Sequence, residues 1–131
     1  MNKDLNTTQH SIVLSRGIFD LLKVHVNRKK LSKYNEDKLN LELRNAKQIL
    51  AKDIPSDVVT VNKQVRLIDV ETGEESVYKL VGDGVAKRKN GTLSILSPIG
   101  VAIVGYPVGA EVTWEMPTGI RTYKILEVEN L

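Results

Sequence analysis

Cysteine is absent from the 131 residues of this chain, which excludes disulfide bonds and zinc sites built on thiolates. A lack of cysteine is typical of proteins that work in a reducing compartment, so we expect a cytoplasmic protein. Long apolar runs are also missing. No stretch approaches the roughly 18–20 apolar residues that span a bilayer, and residues 1–10 have no apolar segment of the kind found in signal peptides. We therefore expect no contact with a membrane.

The chain also lacks a strong excess of charge of one sign. Its net charge of +3 is too small to indicate nucleic-acid binding by itself, because phosphate binding requires cations clustered on one face. Basic residues cluster locally over residues 28–38 and again at Lys87, Arg88 and Lys89. The second cluster lies in the polar, glycine-bounded stretch 82–91 and is expected to be a charged loop.

Glycine and proline are scarce at first and frequent later. Residues 1–54 contain only Gly17 and no proline, whereas the other eight glycines and all four prolines follow. Since these residues interrupt helices and mark turns, the composition predicts a helical domain over residues 1–54 and a domain of strands and turns over residues 55–131.

Apolar residues at helical spacing predict a first helix over residues 8–29, with Thr7 or Thr8 as its N-cap. Gly17 costs about 1 kcal/mol relative to alanine inside a helix, which we interpret as a sign of close packing. His25 is expected to pack at the interface with the next helix. The apolar stripe comprises Leu14, Ile18, Leu21 and Leu22.

A second helix is predicted over residues 36–52, with Asn35 as its N-cap. Its apolar residues have the 4-3-4 spacing of a coiled-coil seam: Leu39, Leu43, Ala46 and Leu50. The short connection Leu31–Asn35 favours antiparallel packing of the two helices. The predicted structure is a coiled-coil hairpin about 25–33 Å long.

The second domain has the pattern of an antiparallel sheet with one short helix, which makes the whole chain α+β. Residues 65–70 and 76–81 flank a glycine turn and predict a β-hairpin. Ser97 and Pro98 are a typical N-cap and first helical residue, so a buried helix is expected over residues 98–104. The remaining predicted strands cover residues 57–61, 92–96, 111–115 and 121–128.

Six runs of this second domain occur in a distinctive order: Asp57–Asn62, Asp69–Glu75 with the sequence DVETGEE, Tyr78–Val81, Leu93–Gly105 with the sequence LSILSPIGVAIVG, Val108–Val112 and Tyr123–Val128. Together they resemble the C-terminal domain of GreA/GreB-type transcription elongation factors over roughly residues 55–129. The resemblance implies an FKBP-like antiparallel sheet packed on one short helix. It also implies that this domain binds the rim of the secondary channel of bacterial RNA polymerase, while the coiled coil enters the channel.

The resemblance assigns polymerase docking to one segment, which comprises Leu96, Ser97, Pro98, Ile99 and Gly100. Cleavage-stimulating members of the family carry an acidic residue at the position of Leu96. Leucine at this position is similar to the Rnk-like branch, and we expect a more apolar contact with the polymerase.

The hairpin tip also differs from that of the cleavage factors. Those factors carry two acidic residues three apart, which help to hold a second Mg²⁺ at the polymerase active site; here Lys30 and Lys33 occupy the matching positions. We expect occupancy of the channel entrance without strong stimulation of transcript cleavage, and weak contact of the basic tip with nucleic acid is an open alternative. Glu36 and Asp37 are expected to offset the helix dipole. The predicted tip comprises Lys30, Leu31, Ser32, Lys33, Tyr34, Asn35, Glu36 and Asp37.

The sequence contains no nucleophile–base pair, phosphate-binding glycine loop or metal-ligand cluster, so we expect no enzymatic activity, no cofactor and no metal site. Two alternatives stay open. One is a true cleavage factor. The other is a peptidyl-prolyl isomerase, because the implied fold is FKBP-like, although fold alone is weak grounds for function. An isomerase pocket would have to be built from Trp114, Tyr78, Tyr106 and Tyr123.

Overall fold

A two-helix hairpin packs against a five-stranded sheet in the computed structural model, which describes residues 12–28, 31–86 and 90–131. The hairpin consists of α1 (Arg16–Arg28) and α2 (Lys33–Asn45). Each helix has 13 residues and is therefore about 20 Å long, shorter than the sequence predicts. None of the helices in the described ranges is both long and apolar enough to cross a bilayer.

Two short strands close the base of the hairpin, where the sequence predicts helix. Strand β1 (Val13–Ser15) precedes α1, and β2 (Lys47–Ile49) follows α2; the two pair in parallel. The backbone N–H of Val13 also donates to the carbonyl of Gly105, at 3.1 Å. These long-range hydrogen bonds hold the segments extended. The predicted start of the first helix and the predicted end of the second helix were therefore wrong.

The ends of the helices have different caps from those predicted. Ser15 Oγ accepts a hydrogen bond from Ile18 N at the start of α1, while the predicted cap Thr7 or Thr8 lies outside the described residues. Ser32, and not Asn35, is the N-cap of α2; its Oγ accepts from Asn35 N at 3.1 Å. Leu50, which was predicted to continue the coiled-coil seam, is 62% exposed because α2 ends at Asn45.

The main sheet confirms the α+β prediction. Its strands are β3 (Lys63–Asp69), β4 (Glu75–Val81), β5 (Thr92–Ser94), β6 (Glu111–Met116) and β7 (Gly119–Asn130). The strand order is β5-β4-β3-β7-β6, and all neighbouring pairs are antiparallel except β4 with β5. The predicted β-hairpin is present as β3 and β4, which turn at Gly73 with a φ of 77°. Residues 57–61 form only a bridge between Val58 and Pro107.

Helix α3 (Pro98–Ile103) lies where it was predicted and is almost completely buried. Its side chains belong to one core that also contains Leu22 of α1, Leu39 of α2 and Trp114 of β6. The hairpin and the sheet thus share apolar contacts, which contribute roughly 25 cal/mol per Å² of apolar surface removed from water. The division of the chain at residue 54 stays a prediction.

Gly100 allows the close approach of α3 to the chain that precedes it. A Cβ atom at this position would lie 2.5 Å from the carbonyl oxygen and 2.8 Å from the carbonyl carbon of Ile95. A Cβ atom at Gly17, in contrast, would meet no atom of another element within 4 Å among the described residues, so the interpretation of close packing at Gly17 was wrong.

We predict that Gly100→Ala lowers the free energy of unfolding by about 1–3 kcal/mol or more, because backbone atoms cannot yield to the new methyl group. Gly17→Ala is the matched control and should keep the stability or raise it by up to about 1 kcal/mol. Urea denaturation followed by circular dichroism measures both. A Gly100→Ala protein as stable as the wild type would contradict the prediction.

Candidate functional site

The docking segment, residues 96–100, is divided between surface and core. Pro98 is exposed, and Leu96 and Ser97 are half-buried. Ser97 Oγ accepts a hydrogen bond from Gly100 N at 3.2 Å, which caps α3 as predicted. Ile99 and Gly100 are buried. Only Leu96, Ser97 and Pro98 therefore present side chains to a partner, whereas Ile99 and Gly100 support them from the core.

A groove of about 510 Å³ lies between the docking segment and the tip of the hairpin. Its lining is mostly apolar, and Glu115 and His25 are its titratable members. The groove brings together two regions that sequence reasoning treated separately. Its lining residues are His25, Leu31, Ser32, Asn35, Leu96, Pro98, Val101, Trp114, Glu115, Met116 and Pro117.

Asn35 fastens the first turn of α2 to the edge of the sheet. Its Nδ2 donates to the carbonyl of Glu115 and its Oδ1 accepts from the N–H of Glu115, both at 2.8 Å. Since β6 is an edge strand, these two bonds satisfy backbone groups that would otherwise lack a partner strand. Asn35 is only 5% exposed. The predicted cap residue is therefore a buried link between hairpin and sheet.

One turn further along α2, a buried polar cluster makes a second link. The Lys38 ammonium forms an ion pair with the Glu42 carboxylate, and the Tyr106 hydroxyl donates to the same carboxylate. The side chains of Lys38 and Glu42 are only 20% and 9% exposed. Lys38 Nζ also lies 5.4 Å from the ring centroid of Tyr106 and 5.7 Å from that of Trp114, within the range of cation–π attraction.

The hairpin tip lacks a pair of free carboxylates in the described residues. Asp37 forms an exposed ion pair of 3.1 Å with Lys33, and Glu36 lies next to it in the first turn of α2. Tyr34 is exposed, Leu31 packs against the core, and Lys30 lies outside the described residues. Across the parts of the chain that the structure describes, no group of three or more His, Asp or Glu side chains is placed to hold a metal ion.

The remaining predicted residues are divided among core and surface. His25 is 9% exposed, in agreement with its predicted packing role, and Trp114 is 2% exposed and lies in the core. Tyr106 lines a different cleft from Trp114, which does not favour one aromatic isomerase pocket. The predicted loop residues Lys87, Arg88 and Lys89 lie outside the described residues.

Residues 54–130 match the family described as transcription elongation factor, GreA/GreB, C-term. The chain belongs to the GreA/GreB family. The match contains the docking segment and all five strands of the main sheet, but it begins after α2. The family assignment therefore rests on the sheet domain. The properties of the hairpin are inferred from its own residues and contacts.

Curated relatives agree with this family. The regulator of nucleoside diphosphate kinase of Escherichia coli K12 is 37% identical over 94 residues, which cover 71% of this chain and 69% of the relative. Transcription elongation factor GreA of Thermoanaerobacter pseudethanolicus is 41% identical over 92 residues, or 70% of this chain and 59% of the relative. The matched region thus spans a smaller part of GreA than of the shorter regulator.

Solved structures support the fold of this GreA/GreB member over nearly the whole chain. The GreA/GreB factor from Nitrosomonas europaea superposes with a TM-score of 0.66 at 29% identity and covers 92% of this chain and 98% of that one. Gfh1 from Thermus aquaticus has a TM-score of 0.52 at 16% identity, covers 92% of this chain and 99% of that one, and supports the fold alone.

Sequence reasoning missed the links between hairpin and sheet in this family member. Glu42 and Tyr106 are 64 residues apart, and Asn35 and Glu115 are 80 residues apart. The available signal was weak: Lys38 and Glu42 are four residues apart on a helix, a spacing that permits an ion pair but does not indicate burial.

We predict that Asn35→Ala lowers the free energy of unfolding by about 1–3 kcal/mol, because it removes two hydrogen bonds to the edge strand. Asn40→Ala, an exposed change on the same helix, should alter it by less than about 0.5 kcal/mol. Thermal or urea unfolding measures the difference. Equal stabilities of the two variants would show that Asn35 does not fasten the hairpin.

The Tyr106 hydroxyl gives a pH-dependent prediction. Burial, and then the neighbouring Glu42 carboxylate, raise the pKa of Tyr106 above its usual range. In the unfolded chain the phenol ionises near pH 10, so its contribution to stability is complete below about pH 10 and declines as the pH rises further, by at most about 1.4 kcal/mol per pH unit. Tyr106→Phe should show a shallower loss of stability above pH 10. Parallel declines of the two proteins between about pH 9 and 11 would contradict this assignment.

Proposed function

We propose that this chain is a cytoplasmic regulator of transcription elongation that docks on bacterial RNA polymerase at the rim of the secondary channel. The observation that carries the proposal is the surface edge formed by the exposed Pro98 and the half-buried Leu96 and Ser97 beside the apolar groove. Membership of the GreA/GreB family supports RNA polymerase as the partner. The docking residues supply the point of contact.

The local structure supports docking because it holds this edge in one conformation. Ser97 caps α3, and Leu96 N donates to Ser94 Oγ at 2.9 Å. Ser94 Oγ in turn donates to Asp83 at 2.8 Å. A surface that is ordered before binding loses less conformational entropy on association, which favours affinity. Leu96 and Pro98 offer an apolar contact without a charge that must be desolvated.

We propose further that docking does not strongly stimulate transcript cleavage. The Lys33 ammonium lies 3.1 Å from Asp37 Oδ1 at the tip, and its positive charge opposes the binding of a divalent cation such as Mg²⁺ at that carboxylate. The hairpin is also short, and Leu31 and Ser32 at its tip line the same groove as Met116 and Pro117 of the β6–β7 turn. A tip that stays beside the sheet is poorly suited to reach a distant catalytic centre.

Contact of the tip with nucleic acid is less well supported than docking on the polymerase. The ion pair with Asp37 offsets the charge of Lys33, so fewer cations are available for phosphate. Neither an isomerase nor a cleavage factor is favoured by a specific contact of the described residues. Non-catalytic binding therefore remains the function that the side chains support best.

Docking is tested by measuring binding to bacterial core RNA polymerase by biolayer interferometry. Ser97→Asp adds a charge at the contact but keeps an N-cap residue, so the fold should persist while affinity falls about tenfold or more. Pro98→Ala should weaken binding to a smaller extent. Val77→Ser, on the exposed outer face of β4, is the control and should bind like the wild type. Undiminished binding of Ser97→Asp would reject the assigned surface.

Cleavage is tested separately on backtracked elongation complexes, with GreA as the positive control. We expect no shortening of the transcript above the background rate, and we expect the chain in excess to slow GreA-dependent cleavage by occupying the same rim. Efficient shortening by this chain alone would overturn the proposed inactivity of the tip. If the chain both docked normally and stimulated cleavage, the proposed docking would be kept and only the proposed lack of cleavage would be rejected.

A further inference from the structure

A second groove, of about 400 Å³, lies between α1 and α2 and is separate from the docking segment. We propose that this interhelical groove binds an acidic peptide segment of a partner protein that inserts an apolar anchor side chain. Its lining residues are Phe19, Lys23, Val26, Asn27, Asn40, Leu43 and Arg44.

The interhelical groove opens on the side of the hairpin away from the sheet. At about 100° per residue, Asn40 and Arg44 lie roughly opposite Lys38 and Glu42 around α2. Since Lys38 and Glu42 contact Tyr106 of the sheet domain, the groove and the sheet occupy different faces of the helix. A partner could therefore occupy the interhelical groove without displacing the sheet.

The floor of the interhelical groove is apolar. Val26 and Leu43 are buried, and Phe19 is half-buried at the surface. Phe19 is the single phenylalanine of the chain, yet it lies in an open groove and not at the centre of the core. Burying this ring and its neighbours against an apolar side chain would gain roughly 25 cal/mol per Å² of covered surface.

The rim of the interhelical groove is cationic. Lys23 Nζ lies 5.7 Å from the centroid of the Phe19 ring, and neither Lys23 nor Arg44 forms an ion pair with the described residues. Asn27 and Asn40 add neutral donors, and no carboxylate belongs to the lining. The acidic residues Asp20 and Asp37 of the same helices are paired with Arg16 and Lys33.

Two cations above an apolar floor fit a peptide better than a nucleic acid. Phosphate backbones require several cations along a track, and the groove offers two. Its volume suits one or two large side chains, as in complexes where an amphipathic helix lies in a groove between helices. Carboxylates on such a peptide would reach Lys23 and Arg44, while its apolar face would cover Phe19.

The test is a fluorescence anisotropy titration of the full chain with labelled peptides of about twelve residues. The first peptide is rich in glutamate and aspartate and carries two central leucines. The second has serine in place of the leucines and should bind more weakly by at least about fivefold, because it lacks the apolar anchor. Equal binding of the two peptides, or no binding of the first, would overturn the proposal.

Variants then locate the site. The double change Lys23→Gln with Arg44→Gln should lower affinity for the first peptide about tenfold, since two exposed ion pairs are lost. Lys79→Gln with Lys124→Gln removes the same charge from exposed positions on the sheet and should change affinity less than about twofold. Equal losses in the two double variants would reveal non-specific charge attraction and would reject the site.

Other occupants give different outcomes in the same assays. The first alternative is nucleic acid. If a single-stranded DNA oligonucleotide bound more tightly than the peptide, and this binding depended on Lys23 and Arg44, the ligand of the groove would be a nucleic acid and not a peptide. Self-association in analytical ultracentrifugation that the same double variant abolishes would indicate a second copy of the chain. Either result would overturn the proposed partner. Polymerase binding through Ser97 and Pro98 is measured independently, so the two proposals can fail separately.

Discussion

The buried carboxylate of Glu42 is the point on which the arrangement of this protein depends. It accepts from the Tyr106 hydroxyl of the sheet domain and is paired with the Lys38 ammonium of its own helix. Removing one member of a partly buried ion pair leaves a poorly solvated charge, which is unfavourable. The Tyr106 hydroxyl adds its hydrogen bond to the Lys38–Glu42 pair only when the hairpin lies on the sheet. Asn35 adds two hydrogen bonds to the edge strand on the same side of α2. Hairpin and sheet are therefore joined by specific polar contacts as well as by a common apolar core.

This join places the hairpin tip beside the proposed docking segment. Because α2 is held along β6, Leu31 and Ser32 of the tip share a groove with Leu96 and Pro98 of the docking segment. A partner that contacts Pro98 would thus also meet the base of the tip. The fold therefore fixes the separation between the hairpin tip and Pro98.

The sequence predicted the features that depend on neighbouring residues. Ser97 with Pro98 started a helix as expected, and the two runs that flank Gly73 formed the predicted β-hairpin. The errors have one physical cause. Leu14 has a spacing compatible with a helix, but β1 forms because it pairs with residues 47–49 and bonds to Gly105. Asn35 is a good N-cap by type, yet its side chain is engaged by a backbone 80 residues away. Contacts of this range leave no local pattern, so the groove at the tip could not be predicted.

Most carboxylates of the described part of the hairpin are paired with a cation of their own helix. A carboxylate that is engaged by a cation of its own helix has lost part of its capacity to bind Mg²⁺, which requires several oxygen ligands at once. Three acidic side chains of this hairpin are engaged in this way: Asp20 with Arg16, Asp37 with Lys33, and Glu42 with Lys38. Glu36, which is adjacent to Asp37, points about 100° away around the helix. Asp20, Asp37 and Glu42 thus contribute to the structure of the hairpin, which supports the proposal that its tip does not deliver a metal ion.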